Sequence, residues 1–125
     1  MKTIRCSILG FGAIGQGVAE VLLMKKEYLR STGLEVKVVA IVDSKGATVN
    51  PEGVDLADCL SRKRTNGTVA LEKITGIEVI RSVDHELVIE TTPTNIETGG
   101  AGLQNMLEAF QTGKDVITSN KGPLT

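Results

Sequence analysis

The sequence predicts an α/β fold, a doubly wound parallel sheet with helices on both faces in a three-layer α/β/α arrangement. Three observations carry that prediction. A short apolar run, residues 4–9, breaks directly into Gly10-Phe11-Gly12-Ala13-Ile14-Gly15 and then into a helix-period stretch from Gln16. A second run, Val36-Lys37-Val38-Val39-Ala40-Ile41-Val42, is β-branched and too apolar for a half-exposed strand, so it is expected to be covered on both faces. The last third alternates strand-like, helix-like and strand-like segments, the pattern of parallel strands joined by crossover helices.

A G-x-G-x-x-G between a strand and a helix is suited to the pyrophosphate of a dinucleotide. Gly10 lets the chain turn sharply, Gly12 lacks the Cβ that would hold a pyrophosphate off the main chain, and Gly15 lets the helix lie close on the sheet. The amide N–H groups at the helix start then face the anion, and the helix dipole adds to their pull. The cofactor loop is therefore taken as Gly10, Phe11, Gly12, Ala13, Ile14 and Gly15, and the sheet as Rossmann-like. Gly17 falls inside the helix and is read as a close-packing residue.

Composition narrows the field. At 125 residues there is room for one domain with a sizeable core. Lys plus Arg number 14 against 15 Asp plus Glu, which is no surface for a polyanion, and aromatics at 2% offer no stacking platform for single strands, so nucleic acid is not an expected partner. Cys6 and Cys59 lie far apart with no C-x-x-C, and His85 is the only histidine, so no metal site is expected. Both cysteines read as small buried apolar residues, and His85, in a turn after Asp84, as a solvated loop residue. No apolar stretch nears 18 residues and no signal-like segment precedes the glycine loop, so a soluble, cytoplasmic protein without membrane partners is expected.

In chain order, Ile14, Val18, Val21 and Leu22 recur at helical spacing, predicting a helix to about Arg30 that Ser31-Thr32-Gly33 ends. The strand at 36–42 ends at Asp43, where a dinucleotide fold places an acid against the adenosine ribose, although the distance from Gly15 exceeds the usual ~20 residues. Asp43-Ser44-Lys45-Gly46 is equally a good turn sequence. Asp43 argues for NAD, whereas Lys45, beside Ser44, keeps a 2′-phosphate and hence NADP open. Residues 46–76 are the least informative. They include an Asn50-Pro51-Glu52-Gly53 loop, a short helix over 54–60, and Arg62-Lys63-Arg64, read as a solvated helix end or a 2′-phosphate contact. Ile77–Ile80 is expected to be a short third strand.

Glu86–Glu90 predicts a better strand, stopped by Pro93 after Thr91 and Thr92. The carboxyl edge of such a sheet faces the ligand crevice, so the hydroxyls of Thr91, Thr92 and Thr94 fit either the nicotinamide half of a cofactor or an ordinary threonine-rich turn. A helix follows Thr98-Gly99-Gly100, with Leu103, Met106, Leu107 and Phe110 on one face and Gly113 as its stop. Asp115–Thr118 is the next strand, and Ser119-Asn120-Lys121-Gly122-Pro123 lies past its carboxyl end. Lys121 there is either a surface charge or a cation aimed at substrate or cofactor.

The segment Glu90–Gly99, followed by Gly113–Leu124, resembles homoserine dehydrogenase, where a T-P-T-N-like turn and an A-N-K-G-P-L-like segment follow an N-terminal glycine loop. Gly10-Phe11-Gly12 and Asp43-Ser44-Lys45-Gly46-Ala47 fit the same family, with Ser119 where alanine is common. The resemblance implies NAD(P)-dependent interconversion of L-homoserine and L-aspartate 4-semialdehyde, toward threonine and methionine. It implies that the glycine loop, Asp43, Ser44, Lys45, Thr91, Thr92, Pro93, Ser119 and Lys121 hold NAD or NADP. Lys121 would sit near the reacting carbon as the catalytic residue, orienting the hydroxyl and stabilising negative oxygen. In the family a second domain completes the substrate pocket and forms the homodimer, so residues 1–125 are expected to be the NAD(P)-binding domain alone, binding cofactor weakly and not turning over homoserine. A stand-alone NAD(P)-binding or sensing module, and the first domain of a related amino-acid dehydrogenase, are the other readings.

Overall fold

The structure, a computed structural model, describes residues 1–92 and 100–119. Strand β1 (Lys2–Leu9) leads into helix α1 (Ala13–Ser31), then β2 (Leu34–Asp43), β3 (Gly46–Val49), α2 (Leu56–Asn66), α3 (Gly76–Ser82), β4 (Leu87–Glu90), α4 (Gly100–Gln111) and β5 (Asp115–Thr118). The sheet order is β3-β2-β1-β4-β5. β1 pairs in parallel with β2 and β4, and β4 with β5. The order reverses at β1, which puts the switch point between the carboxyl ends of β1 and β4.

The central strands are buried on both faces over their carboxyl halves, residues 6–9 of β1 and 38–42 of β2. On one face Cys6, Ile8, Val38 and Ile41 pack with Ala19 of α1 and with Cys59 and Leu60 of α2. On the other, Leu9, Val42 and Val88 pack with Val79 and Ile80 of α3 and Ala109 of α4. Each fully buried aliphatic side chain contributes about 1.5–3 kcal/mol. Both cysteines are buried free thiols, as expected, and burial pushes the Cys6 thiol up to about 12, which makes it inert.

Several expectations are corrected. Ile77–Ile80 lies in α3 and forms no strand, because Thr75 and Glu78 make a reciprocal capping box that starts a helix. The sheet is mixed at one edge, where β3 returns antiparallel on β2 through the two-residue loop Ser44-Lys45, pairing Asp43 with Gly46. The buried side of α1 runs through Gly15 and Ala19, with Val18 and Leu22 half-buried, whereas Ile14 and Val21 are exposed. Leu107 and Phe110 of α4 are likewise exposed, and Asn105 and Ala109 take the buried positions. His85 is 6% exposed rather than solvated, with Nδ1 2.7 Å from the Val83 carbonyl. Among the described residues no helix is long and apolar enough to cross a membrane.

Candidate functional site

The glycine loop joins the carboxyl end of β1 to α1. Gly10 has φ +97°, a left-handed conformation that disfavours side chains, and a Cβ there would stand 2.7 Å from the Thr91 carbonyl carbon. At Gly15 a Cβ would meet Gly10 O at 2.2 Å, so α1 can approach the loop only as glycine. Gly12 is different: a Cβ there would have nothing within 4 Å. It is also the N-cap of α1, no side chain caps the helix, and no acidic residue lies in its first turn. The first backbone bond runs from Gln16 N–H to Gly12 O, which leaves the amides before Gln16 without intrahelical partners, an anion site in waiting. The loop is held from behind, by the buried Phe11 ring and by Gln16 Nε2 donating to Phe11 O at 3.0 Å.

This loop opens onto a cleft of about 980 Å³ at the carboxyl edge of the sheet. One wall is the end of β2. Asp43 Oδ2 accepts from Lys63 Nζ at 3.1 Å, Thr68 Oγ1 at 2.7 Å and Val69 N–H at 2.7 Å, while Oδ1 accepts from Lys45 N–H at 2.9 Å. Burial works to raise this carboxyl, but the Val69, Thr68, Lys45 and Lys63 donors outweigh it and hold its pKa at about 2. With its side chain 3% exposed, Asp43 first organises its own chain, and Oδ1 alone keeps accepting capacity for a sugar hydroxyl. Lys45, Lys63 and Lys73 line the same end of the cleft.

The opposite wall is Thr91 and Thr92, which follow β4. Thr91 N–H donates to Leu9 O at 2.8 Å and its hydroxyl to Gly10 O at 2.8 Å, so this residue braces the glycine loop from the neighbouring strand. The Thr92 hydroxyl and N–H both donate to Glu90 Oε1.

The geometry has a counterpart among known proteins. A family model described as the homoserine dehydrogenase NAD-binding domain matches residues 10–125, from the first glycine of the loop onward. The chain belongs to this family. It is 44% identical over 122 residues to the homoserine dehydrogenase of Methanocaldococcus jannaschii, covering 94% of this chain and 36% of that protein. A crystal structure of an Archaeoglobus fulgidus protein assigned as a homoserine dehydrogenase superposes with a TM-score of 0.84 at 39% identity, over 97% of this chain and 35% of that one. A hyperthermophilic archaeal homoserine dehydrogenase in complex with NADPH shares the fold, with a TM-score of 0.82 at 24% identity, over 98% of this chain and 37% of its own. The chain thus spans roughly a third of the length of these relatives.

In this member of the homoserine dehydrogenase NAD-binding family, the structure brings many of the sequence-predicted cofactor residues to one cleft. Gly10, Phe11, Gly12, Ala13, Ile14, Asp43, Ser44, Lys45, Thr91, Thr92 and Ser119 all line it, Gly15 supports the loop from within α1, and Phe11 offers only its main chain because its ring is 2% exposed. Pro93, Thr94 and Lys121 lie outside the described residues. Arg62, Lys63 and Arg64 do not form one solvated cluster. Arg62 bonds Asp58 and Val69 O, Lys63 bonds Asp43, and Arg64 pairs with Glu20. The sequence analysis did not assign Lys73, Gly76 or Asn105, which line the cleft, nor Glu90; Glu90 and Asn105 lie 0% and 5% exposed and are hydrogen-bonded to each other. The available signal was an acid closing an apolar strand and an amide on the apolar side of a helix.

Proposed function

We propose that residues 1–125 form the dinucleotide-binding domain of a homoserine dehydrogenase, which carries hydride between L-homoserine and L-aspartate 4-semialdehyde using NAD or NADP. The observation that carries this reading is the uncapped start of α1, with open space over Gly12 and a cleft in front of it. The residues present fit the cofactor. A pyrophosphate over Gly12 would take the free amides of the α1 start, the adenosine would run toward Asp43 and the nicotinamide toward Thr91-Thr92. When bound, the nicotinamide accepts or gives the hydride. The protein's part is to fix the ring at the carboxyl end of β4 and to hold charge near the substrate oxygen, the role proposed for Lys121. Relatives nearly three times as long supply further chain, and substrate contacts and the homodimer interface are assigned to that length.

An Asp43 carboxylate already paired with Lys63, with Lys45 and Lys73 also lining the cleft, suits a 2′-phosphate as well as a 2′-hydroxyl, so the domain is expected to take both cofactors. Titrating the chain with NADH and with NADPH, followed by nicotinamide fluorescence, tests the reading. Saturable binding of at least one, without homoserine oxidation by the 125-residue chain, is expected. Failure of both to bind would overturn the reading, and ordinary turnover would overturn the assignment of substrate contacts to other sequence.

A further inference from the structure

Glu90 is the only acidic residue among the fully buried side chains of the described structure, and it sits at the last position of β4, beside the switch point. A carboxyl group without water costs several kcal/mol unless donors surround it. Three do. Thr92 N–H (2.7 Å) and the Thr92 hydroxyl donate to Oε1, and Asn105 Nδ2 donates to Oε2 at 2.8 Å. The Asn105 amide in turn fills the space beside Gly76, where a Cβ would lie 3.0 Å from its Oδ1. One side chain therefore ties Thr92 to α4, and Asn105 also lies against Gly76 at the start of α3. Thr92, Asn105 and Gly76 all line the cleft. None of these ties reaches the Asp43 end.

We propose that Glu90 is a positioning residue for the nicotinamide half of the cofactor, setting Thr92 against the place where the ring must lie. The inference rests on the cofactor reading above. If the pyrophosphate sits over Gly12 and the adenosine lies at β2, the ring falls beside β4, where Thr91 is held by Leu9 O and Gly10 O and Thr92 donates to Glu90. A residue that served packing alone at this depth would be apolar, since a shape-matched apolar side chain needs no partners.

The test compares NADH and NADPH with ADP-ribose and 2′-phospho-ADP-ribose, which lack only the nicotinamide ring. Glu90→Met keeps the volume and removes both acceptors. It is expected to weaken the two ring-bearing ligands about tenfold, the size of a lost buried bond, and to leave the ring-free ligands within about twofold. Glu90→Gln restores one acceptor for Thr92, while Asn105 can turn its amide over, so ring-specific binding and the fluorescence of bound NADH should largely return. Equal losses with and without the ring, or no loss, would overturn the proposal. If Glu90→Met does not fold, Thr92→Val decides: it removes the hydroxyl bond to Glu90 and keeps the backbone N–H bond, and a smaller, ring-specific loss is expected, its absence being refutation. Wild-type chain that bound none of the four ligands would instead overturn the cofactor reading itself.

Discussion

Gly12 and Gly15 stand three residues apart in one motif, yet the structure gives their substitutions opposite consequences. An alanine methyl at Gly15 would lie 2.2 Å from Gly10 O, over an ångström inside normal contact, and the obstacle is backbone. Relief requires α1 to move off the loop, an overpacking cost of about 1–3 kcal/mol or more. Each kcal/mol shifts the melting temperature of a domain this size by about 3–6 °C. At Gly12 a methyl would meet nothing within 4 Å, and the backbone, at φ −80° and ψ −155°, is open to any residue. Alanine is a poorer N-cap than glycine, but the stiffer unfolded chain offsets this, so stability should move by less than about 1 kcal/mol. The same methyl occupies the space assigned to the pyrophosphate. Losing one or two charge-assisted bonds there costs about 1.5–3 kcal/mol each, or roughly tenfold to a hundredfold per bond. Thermal melting by circular dichroism and titration with NADH and NADPH read the two effects separately. A Gly12→Ala chain that binds cofactor like wild type, or that melts as early as Gly15→Ala, would refute the reasoning.

Other substitutions probe the two ends of the site and the pH response. Lys63→Met should weaken NADPH by about tenfold while changing NADH little, measured by fluorescence titration; equal losses would place Lys63 in a structural role only. The depressed pKa of Asp43 means that its contribution is fully present above about pH 3.8 and is lost as pH falls toward about 2. That contribution is on the order of 2 kcal/mol, and Asp43→Asn should flatten acid unfolding in that window. His85 is held below the usual imidazole range, first by burial and also by Lys114 and Arg5, against the Val83 carbonyl and Asp84, which favour the charged form. Its folded pKa is lower than its unfolded one, so stability is full above about pH 6.5 and declines as the ring protonates below it. Melting curves of wild type should show a drop between neutral and mildly acid pH, and those of His85→Leu should lack it.

The parts of the fold legible in the sequence were those with a local physical signature. The glycine loop announced itself by spacing and context, and β2 by apolar residues that only a sheet covered twice can use. α3 was missed although Thr75-Gly76-Ile77-Glu78 carries a capping box, because the apolar run beside it reads as a strand when periodicity alone is weighed. β3 was missed because four residues give little pattern, even though the Asp43–Gly46 turn was recognised as a turn. On α1, Ile14 and Val21 have the right spacing for a core stripe, but glycine and alanine at Gly15 and Ala19 let the helix approach on a different side. The site was legible at positions contributed by strand ends, since the carboxyl edge is fixed by topology. It was not legible where one polar group needs another distant in sequence. Nothing local joins Asp43 to Thr68 and Val69, or Glu90 to Asn105.

The pyrophosphate seat is tested most directly by recording backbone amide resonances of the isotopically labelled chain while NADPH is added. The amides of Gly12, Ala13, Ile14 and Gly15 are predicted to shift most, with Lys45 and Thr92 next as the two ends of the cofactor are fixed. Shifts that left those four amides unmoved and gathered instead at the opposite end of the sheet, around Lys26, Lys37 and Asp55, would contradict the account.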